Sequence, residues 1–320
     1  MTTPFVPPHA LHSGRYIVEP AERPLRQAPV HAWDTQQQTR VLMRCHTVPS
    51  DLDASLQRLL SRQLCERTGY GRIAEGNLIV RPSDAFVEEG HLWTVTRCGS
   101  MQTLGELAGG GIHLCGLRAA TVAVNLIACL EGAHAAELFH GGLDQWCVLI
   151  DSDDRVRLTD FGVSSTLRAV CYGATTGAST VPGFAESPEQ AENADIYDLG
   201  TTLMALARAT QQRERGAGHH CTYVDTRALR SLQLTAAGLT RVSISERLPL
   251  SVARKALERV VAVGRMKDEA SGPAEAGPSD TAPPAAEQTA DAHANLLHIS
   301  AVLALLALVA AAAAAVAMLL

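Results

Sequence analysis

Aromatic residues are scarce in this 320-residue sequence, at 4%, and Ala and Leu carry much of its 47% hydrophobic content. A basic bias is also missing. The formal net charge is -6, so the chain lacks the electrostatic footprint of a nucleic-acid-binding protein. Eight cysteines stand at positions 45, 65, 98, 115, 129, 147, 171 and 221. None forms a CxxC and none lies near a histidine at zinc-finger spacing, which argues against a metal site. They read as reduced, mostly buried thiols of a cytosolic domain. The opening residues, MTTPFVPPHALHSGRY, contain no apolar run, so a cleaved secretion signal is not expected. Internal repeats are absent.

What is present divides the chain. Its length suits one domain of about 250 residues with tails. Residues 1–13 are expected to be disordered, 14–265 to form the domain, and 266–295 to be a flexible linker. Asp268 to Ala294 is rich in Ala, Pro and Gly, acidic and free of aromatics. From Leu296 to Leu320 there is no charge, and the polar residues are one His and one Ser. Such a run is long enough to cross a hydrocarbon core of about 30 Å. A buried core helix would need polar positions on one face, and Ala301 to Leu320 offers none. The expectation is a C-terminal transmembrane helix at 296–320 that tail-anchors the rest on the cytoplasmic side. The run Ala310 to Ala315 would let helices approach closely and support a homodimer.

Within the domain, Val41-Leu42-Met43 and Leu92-Trp93-Thr94-Val95 read as strands around one helical stretch, Asp51 to Arg67. From about 100 to 262 the pattern is mainly helical, interrupted by a β-rich patch between Phe139 and Phe161. An α+β domain follows, with a sheet-rich part at 14–98 and a larger helical part at 99–265.

The most informative stretch is FHGGLDQWCVLIDSDDRVRLTDFGV, Phe139 to Val163. A short strand, a turn and a second strand run into TDFG. The spacing resembles the catalytic and magnesium loops of bacterial, actinobacterial-type Ser/Thr protein kinases. His140 stands two residues before the family's base position, Gly142, and seven before its magnesium-asparagine position, Cys147; Asp160 follows Gly142 by eighteen. HAWDTQQQTRVLMR resembles the family's third strand, VPGFAESPEQ its GTPGYLAPEQ, and ADIYDLGTTLMAL its SDVYSLGVVLYEL. The similarity covers about 14–262 in order and implies a bilobal protein-kinase-like fold.

The resemblance also shows what is missing, since phosphoryl transfer is mostly positioning and charge neutralisation. Where the family has a glycine-rich loop, Val18 to Val30 has three prolines and no glycine. The family lysine is Arg44. Gly142 can accept no proton, and Cys147 is a poor ligand for a hard cation. Asp160 survives, and Glu66 is the residue left to pair with Arg44. Arg44, Glu66 and Asp160 are thus weak candidates for nucleotide binding.

The retained residues are structural: His140, Phe161, Gly162, Glu189, Asp195, Gly200 and Arg247. Glu189 is expected to pair with Arg247, Asp195 to cap a helix or hold the loop backbone, and Gly200 to permit close helix packing. The plain alternatives are a surface Glu, an ordinary cap and a helix glycine. Tyr172 to Thr180 reads as a flexible loop with candidate phosphosites Thr175, Thr176, Ser179 and Thr180. The function this implies is a pseudokinase: an inactive scaffold or regulator. Its partners would be an active Ser/Thr kinase, a phosphopeptide-binding module or a membrane protein. No cofactor, metal or nucleic acid is expected. The alternative is an atypical kinase using ATP and Mg2+, with Asp160 and Asp144 as its acidic residues.

Overall fold

A computed structural model describes residues 10–19, 28–49, 52–66, 79–109, 114–176, 187–216 and 222–270. They lie in one compact unit, Met1–Ser271. The expected linker beyond residue 270 and the span at 296–320 lie outside the described residues.

The architecture is mixed α+β. Six antiparallel strands form the first sheet: β1 (Ala10–Leu11), β2 (Tyr16–Val18), β3 (Val30–Asp34), β4 (Thr39–Thr47), β5 (Asp84–Glu88) and β6 (His91–Thr96). Their spatial order is β1-β2-β3-β4-β6-β5. The sheet curls until its two ends meet. Arg15, beside β2, grips Asp34 through two nitrogens and reaches Asp84 of β5 at 2.7 Å. Tyr16 donates to the same Asp84 carboxylate at 2.7 Å and stacks on Phe86 of β5. Within the β3–β4 hairpin, Asp34 accepts the backbone N–H groups of Gln36 and Gln37, an Asx turn that fixes the register.

Helix α1 (Ala54–Glu66) starts where Asp53 caps it, its carboxylate accepting from the amides of Ser55 and Leu56. Leu60 and Leu64 are its buried stripe. They share a cluster with Val163, Val170 and Cys171 of α4 (Val163–Thr176), which therefore lies against α1. A second sheet joins β7 (Gln102–Thr103), β8 (Val148–Ile150) and β9 (Val156–Leu158) in that order. Short α2 (Leu104–Gly109) follows β7 directly, and Thr103 and Glu106 cap each other's amides.

The largest core surrounds α3 (Gly116–Ala135), packed by α5 (Pro188–Gly216), α6 (Tyr223–Leu239) and α7 (Leu250–Ala270). Among the described residues α3 alone is long and apolar enough to cross a membrane, with a mean hydropathy of 1.3. Its composition has a simpler cause. Ala119, Ala120, Ala123, Leu126, Ile127 and Leu130 are wholly buried against neighbouring helices.

Several boundaries move. The sheet begins at Ala10–Leu11, inside the segment expected to be disordered, because β1 pairs with β2. Helix α7 continues to Ala270, past the boundary expected at 265. The stretch read as a loop from Tyr172 starts as helix, since α4 runs to Thr176.

Two outcomes follow from this packing. A Cβ on Gly200 of α5 would lie 2.7 Å from Thr240 Cγ2 and 2.9 Å from Leu239 Cβ. Gly200→Ala gains about 1 kcal/mol of helix propensity but overpacks the α5–α6 contact at a cost of about 1–3 kcal/mol. A lower urea midpoint with an unchanged slope is expected, and a raised midpoint would contradict this account. The second outcome concerns pH. His31 of β3 meets Glu106 of α2 at 2.5 Å. Burial alone would lower the His31 pKa, but hydrogen bonds with Cys98 and Glu106 and the Glu106 charge raise it to about 9. The pair's contribution is therefore complete below pH 6.5 and lost as pH climbs from about 6.5 to about 9. Over that window the wild type should lose about 1–2 kcal/mol relative to His31→Gln, read from paired denaturation curves.

Candidate functional site

The β8–β9 hairpin delivers Asp160. Its turn is tied by Asp151, whose carboxylate accepts the amides of Asp153 and Arg155. After β9 the chain turns sharply, with Asp160 at φ 59° and Gly162 at φ 66°, before α4 begins. A non-glycine residue in the left-handed region is uncommon and is held by its surroundings. Asp160 is 5% exposed. Oδ1 accepts from the Thr94 hydroxyl at 3.0 Å, and Oδ2 from Arg44 Nη1 at 3.3 Å.

Arg44 comes from the middle of β4, opposite Thr94 in the β4–β6 ladder. Its guanidinium fills the space in front of Asp160. It also donates to the Asp144 carboxylate and to the Cys147 sulfur. Asp144 is otherwise occupied as well, because Oδ1 accepts the amides of Trp146 and Cys147.

Burial would lower the Arg44 pKa, but the sulfur and the two carboxylates around it raise it. Burial also pushes the Cys147 thiol well above its usual value, outweighing Arg44. Cys147 is therefore a neutral thiol, and the real counter-charges of the guanidinium are Asp160 and Asp144. For Asp160 burial acts upward, but Arg44 and His46 together with the Thr94 hydroxyl hold the carboxyl below its ordinary value. Burial lowers the pKa of both His46 and His140.

A second buried carboxylate organises the loop before β8. Asp195, in the second turn of α5 and 0% exposed, accepts the amide of His140 at 2.7 Å, that of Gly141 at 2.7 Å, and His134 Nε2 at 3.0 Å. It holds loop backbone and caps nothing; the α5 cap is Ser187, reciprocated by Gln190. His140 donates to the Thr159 carbonyl at 2.9 Å and packs on Phe161, so loop and Asp160 turn are one unit. Gly142 sits at φ 146°, where a Cβ would meet Ser164 Oγ at 3.0 Å. Any side chain there is strained.

Other expected contacts differ. Glu66 pairs with Arg62 one turn back, both largely exposed, and not with Arg44. Arg247 gives its guanidinium to the carbonyls of Asn193 and Arg241 and lies over the Tyr197 ring, and no Glu189 pair forms. Glu189 is an exposed residue of the first turn of α5. Thr175 and Thr176 belong to the end of α4, while Ser179 and Thr180 lie outside the described residues.

Thr94, His46, His134 and Asp198 were not foreseen. Thr94 carries a faint signal, a hydroxyl residue inside an otherwise buried apolar strand. Burial, with the nearby Asp195 charge, raises the Asp198 carboxyl to about 6. Among the described residues no three His, Cys, Asp or Glu side chains gather as metal ligands. A magnesium nucleotide does not fit this arrangement. Arg44 already occupies both carboxylates, and a soft thiol stands beside them where a hard cation wants oxygen.

Removing the cation exposes the design. Arg44→Met leaves Asp160 buried and unpaired, at an expected cost of about 3–5 kcal/mol near pH 7. Because Asp160 is depressed in the wild type, its stabilisation is present above the unfolded carboxylate pKa and fades as pH falls. The deficit of Arg44→Met should therefore shrink on acidification, as checked by urea denaturation from neutral pH downwards. No protein-family model matches the chain, and no curated protein matches it.

Proposed function

We propose that the chain is a protein-kinase-like scaffold or regulator without phosphotransferase activity, held at the cytoplasmic membrane face by residues 296–320 and acting through protein contacts. One observation carries this reading: the Arg44 guanidinium is bonded to Asp160, Asp144 and Cys147 together. In a working kinase, metal ions neutralise the transferred phosphate's charge and a carboxylate orients the attacking hydroxyl. Here the surviving acidic residues are spent on an internal cation. The order of motifs from 14 to 262 and the mixed α+β architecture agree with the family resemblance.

The competing reading, an atypical kinase with Asp144 as base, meets a geometric difficulty. Both Asp144 oxygens are engaged, by Arg44 on one side and two backbone amides on the other. A substrate proton would have to compete with these donors for the carboxylate. Nor can the base be restored at position 142, where φ 146° and Ser164 oppose a side chain.

The full chain in detergent is expected to show no change in thermal stability with ATP and Mg2+, and no incorporated phosphate. A ligand at a hundred times its dissociation constant would add about 2.7 kcal/mol, which is readily seen. A magnesium-dependent shift with phosphate transfer abolished by Asp160→Ala would refute the proposal.

A further inference from the structure

We infer that the outer face of the α6–α7 pair docks on the anionic phospholipid headgroups of the membrane. This deepens the proposed function and rests on its reading of 296–320 as a span. The two helices pack antiparallel. A Cβ on Gly264, late in α7, would lie 3.1 Å from Val224 at the start of α6; one on Gly238, late in α6, would lie 3.1 Å from Leu248, just before α7.

Each helix turns a stripe of like character outwards. On α6, Tyr223, Arg227, Arg230 and Leu234 recur at helical spacing and are all exposed, Tyr223 by 73% and Leu234 by 66%. On α7 the stripe is Lys255, Arg259, Val263 and Met266, also exposed, with Met266 at 65%. Tyr223, Arg227 and Val263 line one shallow groove with Val224 and Val260, so the stripes share a face. Arg227, Arg230 and Arg259 hold the middle of the face, Tyr223, Val263 and Met266 one end, and Leu234 with Lys255 the other, and neither stripe contains an acid. The nearby Glu258 is engaged by Arg254 at 3.4 Å. All this sits on a chain whose formal net charge is -6.

Charge complementarity selects the occupant. Anionic headgroups attract Lys and Arg, while Tyr, Met and Val can enter the apolar boundary beneath them. A two-fold contact with a second copy would bring like charges together. The position also suits a bilayer. Helix α7 ends at Ala270 and the apolar run begins at Leu296, and the residues between span at most about 90 Å. The face therefore stays within reach of the leaflet that holds the anchor.

The test uses the full chain in nanodiscs of phosphatidylcholine, with or without phosphatidylglycerol, read by amide exchange over 223–234 and 255–266. Exchange in both segments should be at least about tenfold slower on the anionic discs. The difference should vanish at high salt and in an Arg227→Glu/Arg259→Glu variant. Should that variant melt early, Arg227→Gln/Arg259→Gln makes the same comparison. Equal exchange on the two lipid compositions overturns the inference. Protection that survives charge reversal also overturns it and points to a protein contact. Resistance to alkaline extraction reports separately on the span. If the chain does not insert, pelleting with phosphatidylglycerol vesicles alone upholds docking, and pelleting with neither composition sinks it.

Discussion

The contact between Arg44 and Asp160 joins the curled sheet to the helical body, and much of the surrounding structure answers to it. Arg44 comes from β4 and Asp160 from the turn after β9, more than a hundred residues later in sequence. Both are mostly or wholly buried. A charge withdrawn from water costs several kcal/mol unless paired and hydrogen-bonded. Each residue therefore depends on the other. Thr94 adds a hydroxyl donor to Asp160, and Asp144 and Cys147 accept further bonds from Arg44.

Asp195 imposes a second constraint of the same kind. Buried in α5, it accepts from two successive loop amides and from His134. The loop around position 142 is thereby shaped from beneath, whatever side chain stands there. His140 carries the shape onward, bonding the Thr159 carbonyl and packing on Phe161. The form of the loop is therefore set by its backbone. Backbone amides bound by a buried carboxylate do not depend on the side chains that face the cleft.

Much of the fold was legible because local signals were strong. The runs at Val41 and Leu92 fall in β4 and β6, the stretch from Asp51 contains α1, and VLI and VRL form β8 and β9. Arg44, Gly142 and Cys147 could be singled out by spacing, as positions where the resemblance expects other residues. Their mutual contact could not, because it joins residues about a hundred positions apart through a long, multi-rotamer side chain. The same limit misled two pairings. Glu66 found a nearer cation in Arg62, and Arg247 found backbone carbonyls. The end of helix α4 reads as loop from Tyr172 because Gly173, Thr175 and Thr176 are weak helix formers.

The energetics of the Arg44 cluster bear on how such a site changes. Removing one partner of a buried ion pair costs about 3–5 kcal/mol, whereas replacing both by well-packed apolar groups can be neutral or stabilising. That penalty is a large part of the 5–15 kcal/mol that holds a typical domain together. Arg44 and Asp160 are therefore linked: either can change freely only if the other changes too. A lysine at position 44 would replace the planar fork by a point charge and abandon the multidentate contact with Asp160, Asp144 and Cys147. Introducing an acid at 142 would meet backbone strain. On the proposed reading, the surviving aspartate of the DFG turn is kept as the counter-ion that lets an arginine be buried at the junction of sheet and helices.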